Sequence, residues 1–173
     1  GFLREDNLAP PSVARHLVAL KMFYRFLKME ERASSATVDL LSSPGLWERV
    51  PKILSPENVD LLLATPQPGD RFFLRDRAIL ETLYATGCRA SEVVNLKIAD
   101  VYLDSAFCRC FGKGSKQRIV PLGKKAIEAL RSYLGGNRSE LLAEAQSDKL
   151  FVSRGGKQLS RVVLWMIVKK YAR

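Results

Sequence analysis

Apolar residues recur at three- and four-residue spacing from Val13 through Leu17, Leu20, Phe23 and Tyr24 to Leu27, the period of one helix face. The pattern predicts an amphipathic helix of about 17 residues, N-capped by Ser12 after Pro10 and Pro11, with Arg15, Lys21, Arg25 and Lys28 largely on other faces. A shorter helix is expected over Thr37 to Leu41, and Ser42-Ser43-Pro44-Gly45 breaks it. Ser55-Pro56-Glu57 is a strong helix start: a capping Ser, a Pro in the first turn and an acid at the positive dipole end. That helix ends before Pro66. Phe72 to Thr86 reads as a long apolar helix, with Leu80, Leu83 and Tyr84 inward, stopped by Gly87. A second helix follows over about Ala90 to Leu96.

The period then switches. Val101 to Leu103, Ala106 to Phe111 and Arg118 to Pro121 read as three strands joined by turns at Asp104-Ser105 and Gly112 to Lys116. Helix returns from Gly123 or Lys124 to Leu134. The Gly135-Gly136 pair opens a mixed stretch to Asp148. Leu150-Phe151-Val152 is a short strand candidate, Gly155-Gly156 a turn, and Ser160 the N-cap of a last helix. The fold class is α+β: mainly helical, with a small three-stranded antiparallel sheet and a partial helical N-terminal domain. The expected boundaries are 1–46, a linker over 47–53, and 54–173.

Charge changes the picture. The net charge is +10, which favours polyanionic partners. From Arg109 to Arg131 there are seven basic residues against Glu128 alone, and from Lys149 to Arg173 seven more with no acid. The rest of the chain is therefore net negative, and the basic half is where a phosphate-binding face belongs. Cys88, Cys108 and Cys110 are odd in number and irregular in spacing, which argues against a disulfide framework and fits a reducing cytoplasm. Cys108 and Cys110 share a strand face and read as small buried residues. With His16 the only His, no metal site is expected. No apolar run reaches the ~18 residues that span a membrane, and no secretory signal opens the chain.

Two short stretches carry candidate chemistry. In Ala85-Thr86-Gly87-Cys88-Arg89-Ala90-Ser91-Glu92 an Arg follows a helix terminator, and Glu92 lies on the same helix face. A guanidinium there can give two parallel hydrogen bonds to a phosphate. In Gly112-Lys113-Gly114-Ser115-Lys116-Gln117-Arg118 a Lys sits between glycines at a hairpin tip, where the backbone can approach a ligand closely. Taken singly, Arg89 reads as half of a surface Arg–Glu pair and Lys113 as an exposed hairpin Lys. The Lys113 segment is not a Walker A loop, because it leads into a strand and lacks that motif's glycine spacing.

These two blocks, with Ile119-Val120-Pro121-Leu122 and Leu74-Arg75-Asp76-Arg77-Ala78, resemble the tyrosine recombinase (phage integrase) family, of the Xer type. The resemblance extends over essentially the whole chain: residues 1–46 as the last helices of a core-binding domain, the rest as the first part of a catalytic domain. It implies site-specific DNA recombination through a 3′-phosphotyrosyl intermediate, on double-stranded DNA, as a homo- or hetero-tetramer in the cytoplasm on the nucleoid. No metal, cofactor, membrane or small-molecule substrate is implied. Arg89 would be the first catalytic Arg and Lys113 the hairpin Lys that protonates the leaving 5′-oxygen. Glu92 would support Arg89, and Lys116, Arg118, Lys157 and Arg161 would contact the DNA backbone.

The family's later His-x-x-Arg and nucleophilic Tyr have no counterpart here. His16 precedes Arg89, and Tyr171 stands at an ordinary helical position. The missing initiator Met and the uncapped last helix read as a fragment, inactive by itself. The alternative is a non-catalytic DNA-binding module or pseudo-recombinase. The resemblance does not choose between chromosome-dimer resolution and phage or integron integration.

Overall fold

The computed structural model describes residues 8–32, 53–112, 114 and 116–172. The helix expected over Thr37 to Leu41, nearly all of the 47–53 linker, and Lys113 lie outside them. The chain divides into two compact units, Gly1–Ile53 and Leu54–Arg173.

The described part of the first unit is helix α1, Pro10–Met29. It starts two residues before the expected cap. Ala9 is the N-cap and Pro10 and Pro11 fill the first turn, where a missing N–H costs nothing; Ser12 is inside the helix. Ala14 is buried, while Leu17 and Tyr24, one heptad apart, are half-buried. Leu20 and Phe23, expected on the apolar face, lie on its exposed flank.

In the second unit, α2 (Pro56–Ala64) begins where Ser55 Oγ accepts the Asn58 N–H at 3.3 Å. Helix α3 (Phe73–Thr86) runs through the core, burying Ala78, Ile79 and Leu80. Tyr84, expected inward, is 64% exposed. It lies two turns from exposed Arg77, on the one face of α3 that the core leaves uncovered. The inward-facing set includes charged residues instead. Buried Arg75 gives Asp76 Oδ1 two hydrogen bonds, at 2.8 and 2.7 Å, and stacks over Phe72. Asp76 Oδ2 accepts the Tyr171 hydroxyl at 3.0 Å.

Helix α4 (Ala90–Asn95) leads through a 3-10 turn, Ile98–Asp100, into the sheet. Strands β1 (Val101–Tyr102), β2 (Phe107–Phe111) and β3 (Gln117–Pro121) are antiparallel in the order β1-β2-β3. Cys110 pairs with Arg118 and Phe111 with Gln117, so the chain reverses between Phe111 and Gln117. Cys108 and Cys110 face the core, and Ile119 faces outward.

Helix α5 (Lys124–Ser132) does not break at the glycine pair. It passes through a π turn, Tyr133–Asn137, into α6, Arg138–Leu142. The buried Arg138 guanidinium then donates to the carbonyls of Ser147, Lys149 and Leu150 at 2.9, 2.7 and 3.2 Å, fixing the loop that follows. Leu150 to Val152 is no strand: only the single bridges Lys97–Lys149 and Val152–Gln158 flank it. Its side chains fill the core beside Tyr133, whose ring stacks on Phe151. Ser160 caps the last helix, α7 (Arg161–Tyr171), by accepting the Val163 N–H at 3.2 Å. Among the described residues no helix is long and apolar enough to cross a membrane.

Candidate functional site

The site grows from the end of α3. Gly87 takes a left-handed φ of 56°, which a side chain would oppose, and its N–H closes on Leu83 O at 3.0 Å. Thr86 Oγ1 donates to Thr82 O and accepts the Cys88 N–H. This fixed turn hands the chain to Arg89, the N-cap of α4. Glu92 Oε2 reaches back to accept the Arg89 N–H at 3.0 Å, as the acid of a capping box does.

The two candidate residues on α4 are therefore joined twice. Arg89 Nη1 donates to Glu92 Oε1 at 3.2 Å. Its side chain is 77% exposed and that of Glu92 only 4%. The other guanidinium donors of Arg89 meet no acceptor among the described residues, and a guanidinium has five N–H groups.

Arg118 completes the cluster from β3. Its Nη2 donates to Glu92 Oε2 at 2.6 Å and to Cys88 Sγ at 3.4 Å. The hydrogen bond from Arg118, joined by those from the Arg89 backbone and side chain, holds the Glu92 carboxyl down to about 2 against the burial that would raise it. The same pairing raises Arg118. Glu92 is thus ionised wherever the protein is folded near neutrality, between two guanidinium groups. Arg118, expected as a DNA-backbone contact, has one guanidinium nitrogen bonded to this carboxylate. Nothing in the spacing of Arg118 marks that contact, which joins positions 26 apart.

The hairpin that carries Lys113 springs from the same place. Gly112 N–H donates to Lys116 O at 2.8 Å, closing the tip, and Gly114 has φ of 74°. Gly112 lies close to Glu92 and Arg118: an added Cβ would meet Glu92 Oε1 at 3.6 Å. Lys116 is exposed.

Arg161 shares a cleft with residues of α4. Gln158 Nε2 donates to Val94 O at 3.0 Å and to Asn95 Oδ1 at 2.9 Å, tying the loop before α7 to α4. Between them is an open cleft of about 430 Å³ lined by Ser91, Asn95, Gln158, Ser160 and Arg161. Ser91, Asn95 and Gln158 were not singled out from the sequence. The four-residue spacing of Ser91 and Asn95 on a short helix was the available signal. Lys157 is exposed on the turn preceding this loop. A larger cleft, about 560 Å³, lies at Tyr84, Leu122 and Lys124 and is mostly apolar; Arg89 does not line it. Among the described residues no cluster of His, Cys, Asp and Glu is arranged to hold a metal ion.

A mainly helical unit with this three-stranded sheet is a fold shared with DNA-recombining enzymes, and the chain belongs to the phage integrase family, which residues 52–173 match. It is 42% identical to the tyrosine recombinase XerD of Halalkalibacterium halodurans over 99% of this chain and 57% of that protein. It is also 42% identical to XerD of Vibrio cholerae, with the same coverage. The chain thus spans a little over half the length of these relatives. Among solved structures, it resembles XerA recombinase with a TM-score of 0.63 at 25% identity, over 99% of this chain and 65% of that one. XerH recombinase bound to its difH substrate gives 0.70 at 21% identity, over 98% and 51%. Lambda integrase bound to DNA gives 0.70 at 14%, over 96% and 57%. The last two likenesses concern the fold alone.

Proposed function

We propose that this chain is part of a site-specific DNA recombinase, with Arg89 and Lys113 acting on one phosphate of double-stranded DNA. The observation that carries the reading is Arg89 itself: an exposed guanidinium, fixed through one nitrogen and its own backbone to a buried carboxylate, with donors to spare. Such a group gives parallel hydrogen bonds to two phosphate oxygens and stabilises the charge that gathers there in the transition state. Lys113 supplies the proton that the leaving 5′-oxygen takes as its bond to phosphorus breaks. Glu92 positions Arg89. Arg118 braces Glu92 and adds positive charge, while Lys116, Lys157 and Arg161 hold neighbouring backbone phosphates, Arg161 with the N-terminus of α7.

In the intact protein a tyrosine attacks the phosphorus, and the 3′-phosphotyrosyl link keeps the bond available for rejoining to another strand. The 173 residues contain no His-x-x-Arg, and none of their tyrosines is assigned as the nucleophile. This stretch alone is read as binding DNA without cutting it. Residues 1–46 act as part of the clamp domain and 54–173 as part of the catalytic domain. The intact enzyme works as a tetramer on two duplexes, in the cytoplasm on the nucleoid, without metal or cofactor. Support comes from the family match, from relatives named as tyrosine recombinases, and from the basic second half of the chain.

The test has two arms. Titration of the 173-residue chain with duplex DNA is expected to give binding that weakens steeply with salt and leaves no covalent adduct. The intact protein on nicked DNA is expected to give a protein–DNA adduct. Site binding by the intact protein without adduct would favour a non-catalytic pseudo-recombinase. No binding at low salt by either would sink the DNA reading.

A further inference from the structure

All three cysteines of the chain are buried and meet beside the turn that leads into Arg89. Cys88 Sγ lies 3.0 Å from Cys110 Sγ, and Cys110 Sγ lies 3.5 Å from Cys108 Sγ. Cys88 belongs to the turn between α3 and α4, Cys110 and Cys108 to β2. The two contacts are not equivalent. Cys108 and Cys110 are alternate residues of one strand, so their Cβ atoms are held about 6.5 Å apart by the strand rise. A disulfide needs Cβ atoms about 3.5–4.5 Å apart. Cys88 stands on a separate, irregular segment facing Cys110, and the two sulfurs, 3.0 Å apart, need to approach by only about 1 Å to reach bonding distance.

We propose that Cys88 and Cys110 are an oxidisable pair, a modification site whose product is a disulfide joining the turn before Arg89 to strand β2. This inference stands on the thiol geometry and does not depend on the DNA reading. The oxidant is a small peroxide. Cys88, 7% exposed, is the thiol that meets it, and Cys110, at 0%, is the thiol that resolves. Cys88 Sγ attacks one peroxide oxygen, the O–O bond breaks, and the departing hydroxide takes the thiol proton to become water. Cys110 Sγ then attacks the Cys88 sulfenic sulfur. The S–O bond breaks, and the hydroxyl leaves as a second water with the Cys110 proton. Two thiols lose two electrons in all, and one peroxide becomes two waters.

The consequence falls on the cluster above. Cys88 Sγ is an acceptor for Arg118 Nη2, the same nitrogen that holds Glu92. Forming the bond draws that sulfur toward β2 and pins the backbone next to Arg89 covalently. Burial pushes the Cys88 and Cys110 thiols up to about 11, so both rest protonated near neutrality and the reaction with peroxide is slow.

Treating the folded 173-residue chain with hydrogen peroxide is expected to lower its mass by about 2 Da, the two hydrogens lost to a disulfide. Peptide mapping is expected to join Cys88 to Cys110, a reductant to restore both thiols, and the oxidised form to unfold at higher temperature. Cys108→Ser is expected to leave the cross-link intact. Cys110→Ser is expected to abolish it and stop at oxygen addition on Cys88. A Cys108–Cys110 link would overturn the proposal. So would oxygen addition alone in the unaltered protein, or three thiols surviving peroxide that oxidises a solvent-exposed model thiol completely.

Discussion

Arg118 on β3 donates to Glu92 on α4 at 2.6 Å, and this contact ties the base of the Lys113 hairpin to the Arg89 turn. The carboxylate between the two arginines accepts from both, so each holds it for the other.

Removing that carboxylate leaves two guanidinium groups side by side and opens the start of α4. Glu92→Ala is expected to cost about 1–3 kcal/mol in urea unfolding, since hydrogen bonds to charged groups are lost without leaving a charge buried. Glu92→Gln, which keeps an acceptor but not the charge, is expected to cost less.

The same carboxylate gives a pH signature. Its folded pKa, about 2, lies below the ordinary Glu value. Its stabilisation is therefore complete above the unfolded value of about 4.3 and is lost as pH falls through the folded one. The stability difference between the unaltered chain and Glu92→Gln is expected to be constant from neutrality to about pH 5 and to shrink toward pH 2. A difference that persists undiminished to the acid limit of folding would contradict the assignment.

Arg89→Ala separates binding from folding. Its side chain is mostly exposed, so unfolding is expected to change by under about 1 kcal/mol. In DNA titrations over a salt series, the slope of log affinity against log salt is expected to fall by about 1, as one phosphate contact is lost. Arg161→Ala is expected to do the same, and Arg77→Ala, exposed on the far turn of α3, to change nothing.

Asp76 is the opposite case, buried between Arg75 and Tyr171. Asp76→Ala strands the Arg75 guanidinium without its partner in the core and is expected to cost about 3–5 kcal/mol. Tyr171→Phe removes the hydroxyl that donates to Asp76 and Asp70 and accepts from Lys170, and is expected to cost about 1–2 kcal/mol. Thermal or urea unfolding measures both.

Local signals were readable wherever a single residue decides the backbone. Ser55 and Ser160 cap their helices because a hydroxyl satisfies an exposed N–H two or three residues on. Gly87 ends α3 because it tolerates positive φ. The three strands follow from alternation and turn residues. What could not be read depends on partners distant in sequence. The glycine pair at 135–136 reads as a break, yet packing of Tyr133 and the bonds of Arg138 carry the helix through it. Leu150 to Val152 has a strand's composition without a neighbouring strand to pair with. Tyr84 looks inward by type and is turned out by phase. In the site, Arg89 and Glu92 were legible because residues three apart on one helix turn meet. Arg118 was legible only as positive charge, since its bond to Glu92 depends on how β3 docks on α4.

The bond between Tyr171 and Asp76 closes a span of 95 residues. Contacts that distant form late, after the chain between them has organised. The Arg75–Asp76 pair joins neighbouring residues, whereas Tyr171 reaches Asp76 only once α7 is in place. Helix α7 thus covers the buried charges of α3, and truncation before Tyr171 is expected to leave that charged pair open to water.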